Sequence, residues 1–252
     1  MKEGELMDFI LHPLGDQAVT IELGTTISED IFTKVQVITA YLEQHPPIWM
    51  IEYIPAFTTV TVFYDPYLLS NHYDQEKLPY DTVCDFFKEA FSDLSVQSGI
   101  ASNVVDIPVC YGGEFGPDIE TVAKVNGLTI DEVIHIHSSA DYIVYMIGFA
   151  PGFAYIGGMS EKIAAPRLET PRLKIPERSV GIAGMQTGIY PIETPGGWQL
   201  IGRTPIRLFR PEEDNPSLLK AGDKIRFKPI SVAQYIELEQ DSKISQVKNW
   251  SK

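Results

Sequence analysis

With 252 residues, 44% of them apolar and 21% charged, the chain has material for one large core or two small ones and lacks the polarity of a disordered segment. Its 34 acidic against 20 basic side chains leave a formal charge of −14, which opposes phosphate backbones and anionic bilayers. Partners of those two classes, nucleic acid and membrane, are therefore not expected, and a small anionic ligand requires a local basic pocket.

The N-terminal MKEGELMDFILHPLG is acidic where a secretory signal is basic, and no apolar run approaches bilayer-spanning length, so the expected location is cytoplasmic. Ala18 to Leu23 reads as a strand. Ser28, Glu29 and Asp30 then precede Ile31, Val35, Ile38 and Leu42 at helical spacing. Ile48 to Ile54 and Thr58 to Tyr64 are two further strands, Pro79 opens a helix through Val83, Phe86, Phe87 and Ala90, and Val104 to Cys110 is a strand again. The order βαββαβ is the split βαβ, or ferredoxin-like, arrangement, assigned to residues 1–100, with SDLSVQSGIASN as the linker.

Next come a helix over Asp118 to Val125, stopped by Asn126-Gly127, and a second one opened by a Thr129–Glu132 capping box. From Tyr142 to Pro229 the short apolar runs YIVYMIGF, SVGIAG, GIYPI, WQLIG, IRLF and KIRF alternate with Gly, Pro and Asp, which predicts a β-barrel over residues 101–232. Residues 233–252 read as a tail, a polar surface helix with a frayed end. The fold class expected is thus α+β. Cys84 and Cys110 are too few for a disulfide framework, are not spaced for zinc, and read as buried thiols.

Three stretches of the barrel region offer chemistry. In IGFAPGFAYIGG, Gly148 and Gly152 let the backbone approach a ligand and aim amides at an oxyanion, flanked by Phe149 and Phe153; the alternative is a packed barrel corner. In APRLETPRLKIP, Arg167 and Arg172 each follow a proline, a rigid support for bidentate capture of carboxylate or phosphate, unless they pair with Glu169 and Glu177. In QTGIYPIETPGGWQLIGRTP, Gln186, Thr187, Tyr190, Trp198 and Arg203 are polar or amphipathic groups among turn glycines, as in small-molecule pockets, or else barrel filling. His135 and His137 lie two apart on a helix and face different directions, so they do not share a metal; His137 is either a hydrogen-bonded packing residue or an acid/base group. No phosphate loop, nucleophile elbow, HExxH or Rossmann fingerprint occurs.

The stretches VCYGGEFGPDIETVA, EVIHIHSS, YMIGFAPGFAYIGG, SVGIAG, QTGIYPIETPGGWQLIGRTP and LLKAGDKIRF, with LGDQAV and EYIPAFTTVTVFYDP nearer the N-terminus, resemble the family of 5-oxoprolinase B subunits. The family is also called allophanate hydrolase subunit 1 and includes the Bacillus sporulation-kinase inhibitor KipI. The resemblance implies an N-terminal ferredoxin-like domain followed by a cyclophilin-like β-barrel, and a lactam hydrolase component inactive without partners. In that reading, 5-oxo-L-proline is opened to L-glutamate with the 5-oxoprolinase A and C subunits, ATP is bound with or by those partners, and this chain binds no metal. The assignments that follow make His137, Gln186 and Tyr190 catalytic, with Gly148, Phe149, Gly152, Phe153, Arg167, Arg172, Thr187, Trp198 and Arg203 binding substrate. The same resemblance carries an alternative, an inhibitor bound to a sensor histidine kinase; allophanate hydrolysis and prolyl isomerisation rank below both. Two departures stand out: Pro176-Glu177-Arg178-Ser179-Val180 replaces the common Pro-Ala-Gly-Ser-Val, and Met185 precedes Gln186.

Overall fold

The computed structural model describes residues 7–72, 76–92, 94 and 103–249, of which 72 and 241–249 by backbone alone. It is a mixed α and β structure that divides into two compact units, residues 1–101 and 102–252.

The first unit contains β1 (Ile10–Pro13), β2 (Ala18–Glu22), α1 (Glu29–Gln44), β3 (Met50–Pro55), β4 (Thr59–Tyr64), α2 (Pro66–His72) and α3 (Pro79–Phe91). Its strands pair antiparallel in the order β1-β2-β4-β3. Helix α1 starts where the Ser28 hydroxyl accepts the Ile31 amide, with Glu29 and Asp30 complementing the positive end of the helix dipole. It buries Phe32, Val35, Ile38 and Leu42, while α3, opened by Pro79, buries Val83, Cys84, Phe87 and Phe91. Except for Phe32, both stripes join the sheet residues Val19, Ile21, Val60 and Val62 in one core.

One expectation fails here. The strand at Val104 does not close this sheet; it belongs to the barrel, and the edge position beside β2 is taken by β1. Alternation of apolar residues reports that a strand is half-buried, not which sheet it joins. Strand β1 itself is short, mostly exposed and ends on proline, so it carries almost no signal. Most of the expected linker, residues 92–103, lies outside the described residues.

The second unit begins with β5 (Val104–Tyr111), α4 (Ile119–Asn126), α5 (Ile130–Ser139), β6 (Tyr142–Ile147) and β7 (Ala154–Gly157). It continues through β8 (Arg172–Ile175), β9 (Ser179–Ala183), β10 (Gln186–Ile189), β11 (Thr194–Gly196), β12 (Gln199–Arg203), β13 (Lys224–Pro229) and α6 (Val232–Asn249). Seven of the strands close a barrel in the order β10-β7-β6-β13-β5-β12-β9, in which β5 and β13 run parallel. Strands β8 and β11 form a separate two-stranded ribbon. The run IRLF is not a barrel strand, since Phe209 makes only an isolated bridge to Ser217. Val109, Val144, Ile156, Val180, Ile182, Ile189, Ile201, Ile225 and Phe227 fill the core together with Val122 of α4 and Val133 of α5. The helix ends follow their caps: α4 stops at Gly127 in the left-handed region, and α5 starts from the Thr129–Glu132 capping box.

Arg178 stands where the resemblance leads one to expect glycine, and its backbone has φ of +69, in the region that disfavours a side chain. Against that cost its buried guanidinium donates to the Pro205 carbonyl at 3.2 Å and to the Glu239 carboxylate of α6 at 2.9 Å. An Arg178→Gly variant relieves the backbone but releases α6. Because hydrogen bonds to charged groups contribute about 1.5–3 kcal/mol each and the strain costs about 1–2, the variant should be destabilised, with α6 the first site of cleavage in limited proteolysis. Unchanged protease resistance of α6 would contradict the clamp.

Candidate functional site

Successive residues of a strand point to opposite faces, and in β10 this separates Thr187 and Ile189 from Gln186 and Gly188. Ile189 joins the barrel core and Thr187 is buried. The Thr187 hydroxyl donates to the Gly181 carbonyl at 3.1 Å and so accepts from His137 Nε2 at 2.9 Å. The other ring nitrogen, Nδ1, accepts from the Tyr111 hydroxyl at 2.7 Å. This chain of donors holds His137 as the neutral Nε2–H tautomer, packed against Phe227 with ring centroids 4.4 Å apart. Complete burial pushes its pKa down to about 3.

The outward residues build something different. Gly188 and Gly181 are cross-strand partners on β10 and β9. A Cβ at Gly188 would come within 3.0 Å of the Trp198 ring, and one at Gly181 within 3.2 Å of Trp198 Cβ. The glycine pair is thus a flat seat for the indole. Trp198, Tyr190, Leu200 and Ile175 form a small second core between this wall and the β8–β11 ribbon. Gly196 of the ribbon has no room for a side chain, since its Cβ would lie 2.6 Å from the Tyr190 hydroxyl.

Beside this second core opens a cavity of about 370 Å³, lined by Phe149, Phe153, Tyr155, Arg167, Pro171, Gln186, Tyr190, Pro195, Gly196, Gly197 and Trp198. Phe153 is its hub, in edge-to-face contact with Phe149, Tyr155, Tyr190 and Trp198 at centroid distances of 5.4, 5.3, 6.3 and 6.1 Å. Burial pushes the Tyr190 hydroxyl up to about 12, opposed by the Arg167 charge, the Trp198 amide and the Arg172 charge. A larger hollow of about 420 Å³ lies in the first unit between β1 and α3. Two of its charged groups pair with each other, Asp85 with Lys88 at 3.7 Å, and Asp85 also with Lys77 at 2.8 Å, and it lacks convergent aromatic walls. The aromatic cavity is therefore the candidate site.

Of the residues singled out in the sequence, Phe149, Phe153, Arg167, Gln186, Tyr190 and Trp198 meet on this cavity. The others do not line it. Thr187 faces the barrel interior by the two-residue alternation of β10, and His137, wholly buried on α5, is hydrogen-bonded to it there, so neither side chain lines the cavity. Gly148 uses its amide on the Phe153 carbonyl at 3.0 Å and its carbonyl on the Ala150 amide at 2.8 Å, so this amide is not presented to an anion. Gly152 serves the turn, with φ of +76 and a Cβ position 2.9 Å from Phe209. Arg203 donates to the Glu177 carbonyl at 3.0 Å. Arg172 donates to the carbonyl of the lining residue Trp198 at 3.4 Å and pairs with Asp118 at 2.7 Å, a carboxylate 54 residues away that local sequence could not nominate. Tyr155, the third aromatic of the IGFAPGFAYIGG stretch, and Pro171, which precedes Arg172, were given no site role from the sequence, and Pro195 was missed; the Gly181–Gly188 seat carried a signal, glycines on the outward positions of neighbouring strands. Among the described residues, no group of three or more His, Cys, Asp or Glu is placed to hold a metal ion, and no helix is long and apolar enough to cross a membrane.

Residues 9–219 match the family model described as carboxyltransferase domain, subdomain C and D. The chain is 50% identical over 233 residues to the 5-oxoprolinase B subunit of Bacillus subtilis, covering 92% of this chain and 97% of that protein. It is 39% identical to the 5-oxoprolinase B subunit of Escherichia coli O157:H7, covering 86% of this chain and 94% of that one. A crystal structure of a conserved uncharacterized protein from Pyrococcus horikoshii superimposes with a TM-score of 0.53 at 47% identity, covering 90% of this chain and all of that one.

Two outcomes test this geometry. A Gly188→Val variant must push the indole off its seat, so the Trp198 fluorescence should shift towards that of a solvated indole; an unchanged spectrum would mean the seat is loose. For His137 the folded-state pKa lies below the unfolded value, so its contribution to stability is complete above about 6.5 and is lost as pH falls towards 3, by up to about 1.4 kcal/mol per pH unit. Urea denaturation between pH 7 and about 4 should show a steeper decline for the parent chain than for His137→Gln.

Proposed function

Because the chain belongs to the family of 5-oxoprolinase B subunits, within the carboxyltransferase domain subdomain C and D group, we propose that it is the ligand-holding component of an ATP-dependent enzyme that opens 5-oxo-L-proline to L-glutamate together with the A and C subunits as partners. The observation that carries this reading is the composition of the cavity wall: five aromatic rings, one guanidinium and one carboxamide, with no Asp, Glu, His, Cys, Lys, Ser or Thr. Such a wall binds a small ring bearing one negative charge and offers it no nucleophile.

The ligand's chemistry matches each group. A flat five-membered lactam packs against Trp198, Phe153 and Tyr190, its carboxylate pairs with the Arg167 guanidinium, and the Gln186 carboxamide can donate to the lactam carbonyl while accepting from its N–H. Tyr190, with its hydroxyl pushed up to about 12, stays protonated at neutral pH and acts as a hydrogen-bonding wall, not as a base. ATP, bound with or by the partner proteins, supplies the activation that an unstrained amide requires. This chain's part is to orient the ring, exclude water from its apolar faces and fix the carboxylate, so that partner groups meet a lactam already aligned.

The same reading treats the first unit as a ferredoxin-like domain over residues 1–100 in which β1 fills the fourth strand position. The barrel over 101–232 is cyclophilin-like, followed by the tail at 233–252, in a protein that works in the cytoplasm.

The test is ATP-dependent glutamate formation from 5-oxoproline by the purified chain, alone and mixed with the A and C subunits. Turnover is expected in the mixture alone; silence with partners that are active beside a homologous protein in place of this chain would overturn the reading. In the active mixture, Arg167→Gln should raise KM about 10- to 100-fold with a smaller effect on kcat, the size expected for losing a charged hydrogen bond in binding.

A further inference from the structure

Two guanidinium groups stand by this cavity: Arg167 lines it, and Arg172, from β8 of the ribbon, donates to the backbone carbonyl of the lining residue Trp198. They are not equivalent. Arg167 has no carboxylate within ion-pair distance among the described residues, whereas Arg172 donates to Asp118 Oδ1 at 2.7 Å and to the Trp198 carbonyl at 3.4 Å. Asp118 is itself buried and held on three sides. Its Oδ2 accepts the Leu200 amide at 2.7 Å, its own amide donates to the Leu200 carbonyl at 2.9 Å, and it stands at the N-cap of α4. One carboxylate thus ties the ribbon to β12 two residues from Trp198 and cancels one of the two positive charges beside the cavity.

We propose that Asp118 is a specificity-determining residue that acts through Arg172: by neutralising it, Asp118 leaves Arg167 as the single uncompensated cation and makes the cavity a site for monoanionic carboxylates, discriminating against phosphate dianions. This rests on the reading of the cavity as an anion site. In an enzyme that handles a carboxylate substrate and a polyphosphate together, such a charge setting keeps the two from competing for one pocket. The discrimination is electrostatic, because a second net positive charge close to the ligand stabilises a dianion about twice as much as a monoanion.

Asp118→Asn separates charge from architecture, since the asparagine oxygen still accepts the Leu200 amide while the carboxylate charge is gone. The full-length chain would be titrated with acetate, 5-oxoproline and inorganic phosphate at a pH where phosphate is dianionic, following the Trp198 indole N–H by NMR, with Trp198→Phe identifying that resonance. The expected result is an affinity for phosphate relative to acetate that rises about tenfold in Asp118→Asn and returns towards the parent value in Asp118→Glu. Loss of affinity for all three probes in parallel, an unchanged ratio, or a parent chain that binds none of them would overturn the proposal. A shifted phosphate-to-acetate ratio with no 5-oxoproline binding would support the charge setting and count against the substrate reading, so the two fail separately.

Discussion

The two-sidedness of the barrel wall is the constraint on which the site depends. Strands β9 and β10 send Val180, Ile182 and Ile189 into the barrel core and turn Gly181 and Gly188 outward. Because neither glycine has a side chain, Trp198 can lie against the backbone, and everything that shapes the cavity follows from that close approach. Tyr190 and Ile175 pack on the indole, the β8–β11 ribbon closes over them, and Phe153 reaches the same rings from β7's leading turn.

The inward side of the same wall has a different chemistry. A polar chain from Tyr111 through His137 and Thr187 to the Gly181 carbonyl runs inside an apolar core, and each donor has an acceptor. Such a network is tolerated because no polar atom along it is left unpaired, and it links α5 to strands on the barrel. A histidine so placed packs against Phe227 and carries a pH-dependent cost. The ligand cavity meets this network only through shared backbone, since Gly181 accepts the Thr187 hydroxyl on one side and seats Trp198 on the other.

Charge is arranged with similar economy. A chain of net charge −14 repels anions at long range, so a cavity that takes one must do so through a local cation screened from the surrounding acidic surface. Arg167 is the cation on the cavity wall, while Arg172, Arg178 and Arg203 are engaged with Asp118, Glu239 and a backbone carbonyl. The wall contains no residue suited to attack an amide, which fits a chain whose relatives are named as one part of a larger enzyme.

Much was legible in the amino-acid order alone. Helices α1, α3, α4 and α5 follow from apolar spacing and capping residues, because those signals are local and cooperate within a few turns of chain. The barrel region was marked by short apolar runs between glycines and prolines, and six of the cavity's residues stood out as aromatic or amphipathic groups among turn signals. What only the tertiary structure decided was neighbourhood and direction. It moved Val104–Tyr111 from the first sheet to the barrel and gave the empty edge to β1, since a strand's pattern does not name its partner. It turned Thr187 and His137 inward while Gln186 came to line the cavity, and it joined Asp118 to Arg172 across 54 residues. Those outcomes depend on closing long loops and on pairing strands distant in sequence, and no local propensity encodes them.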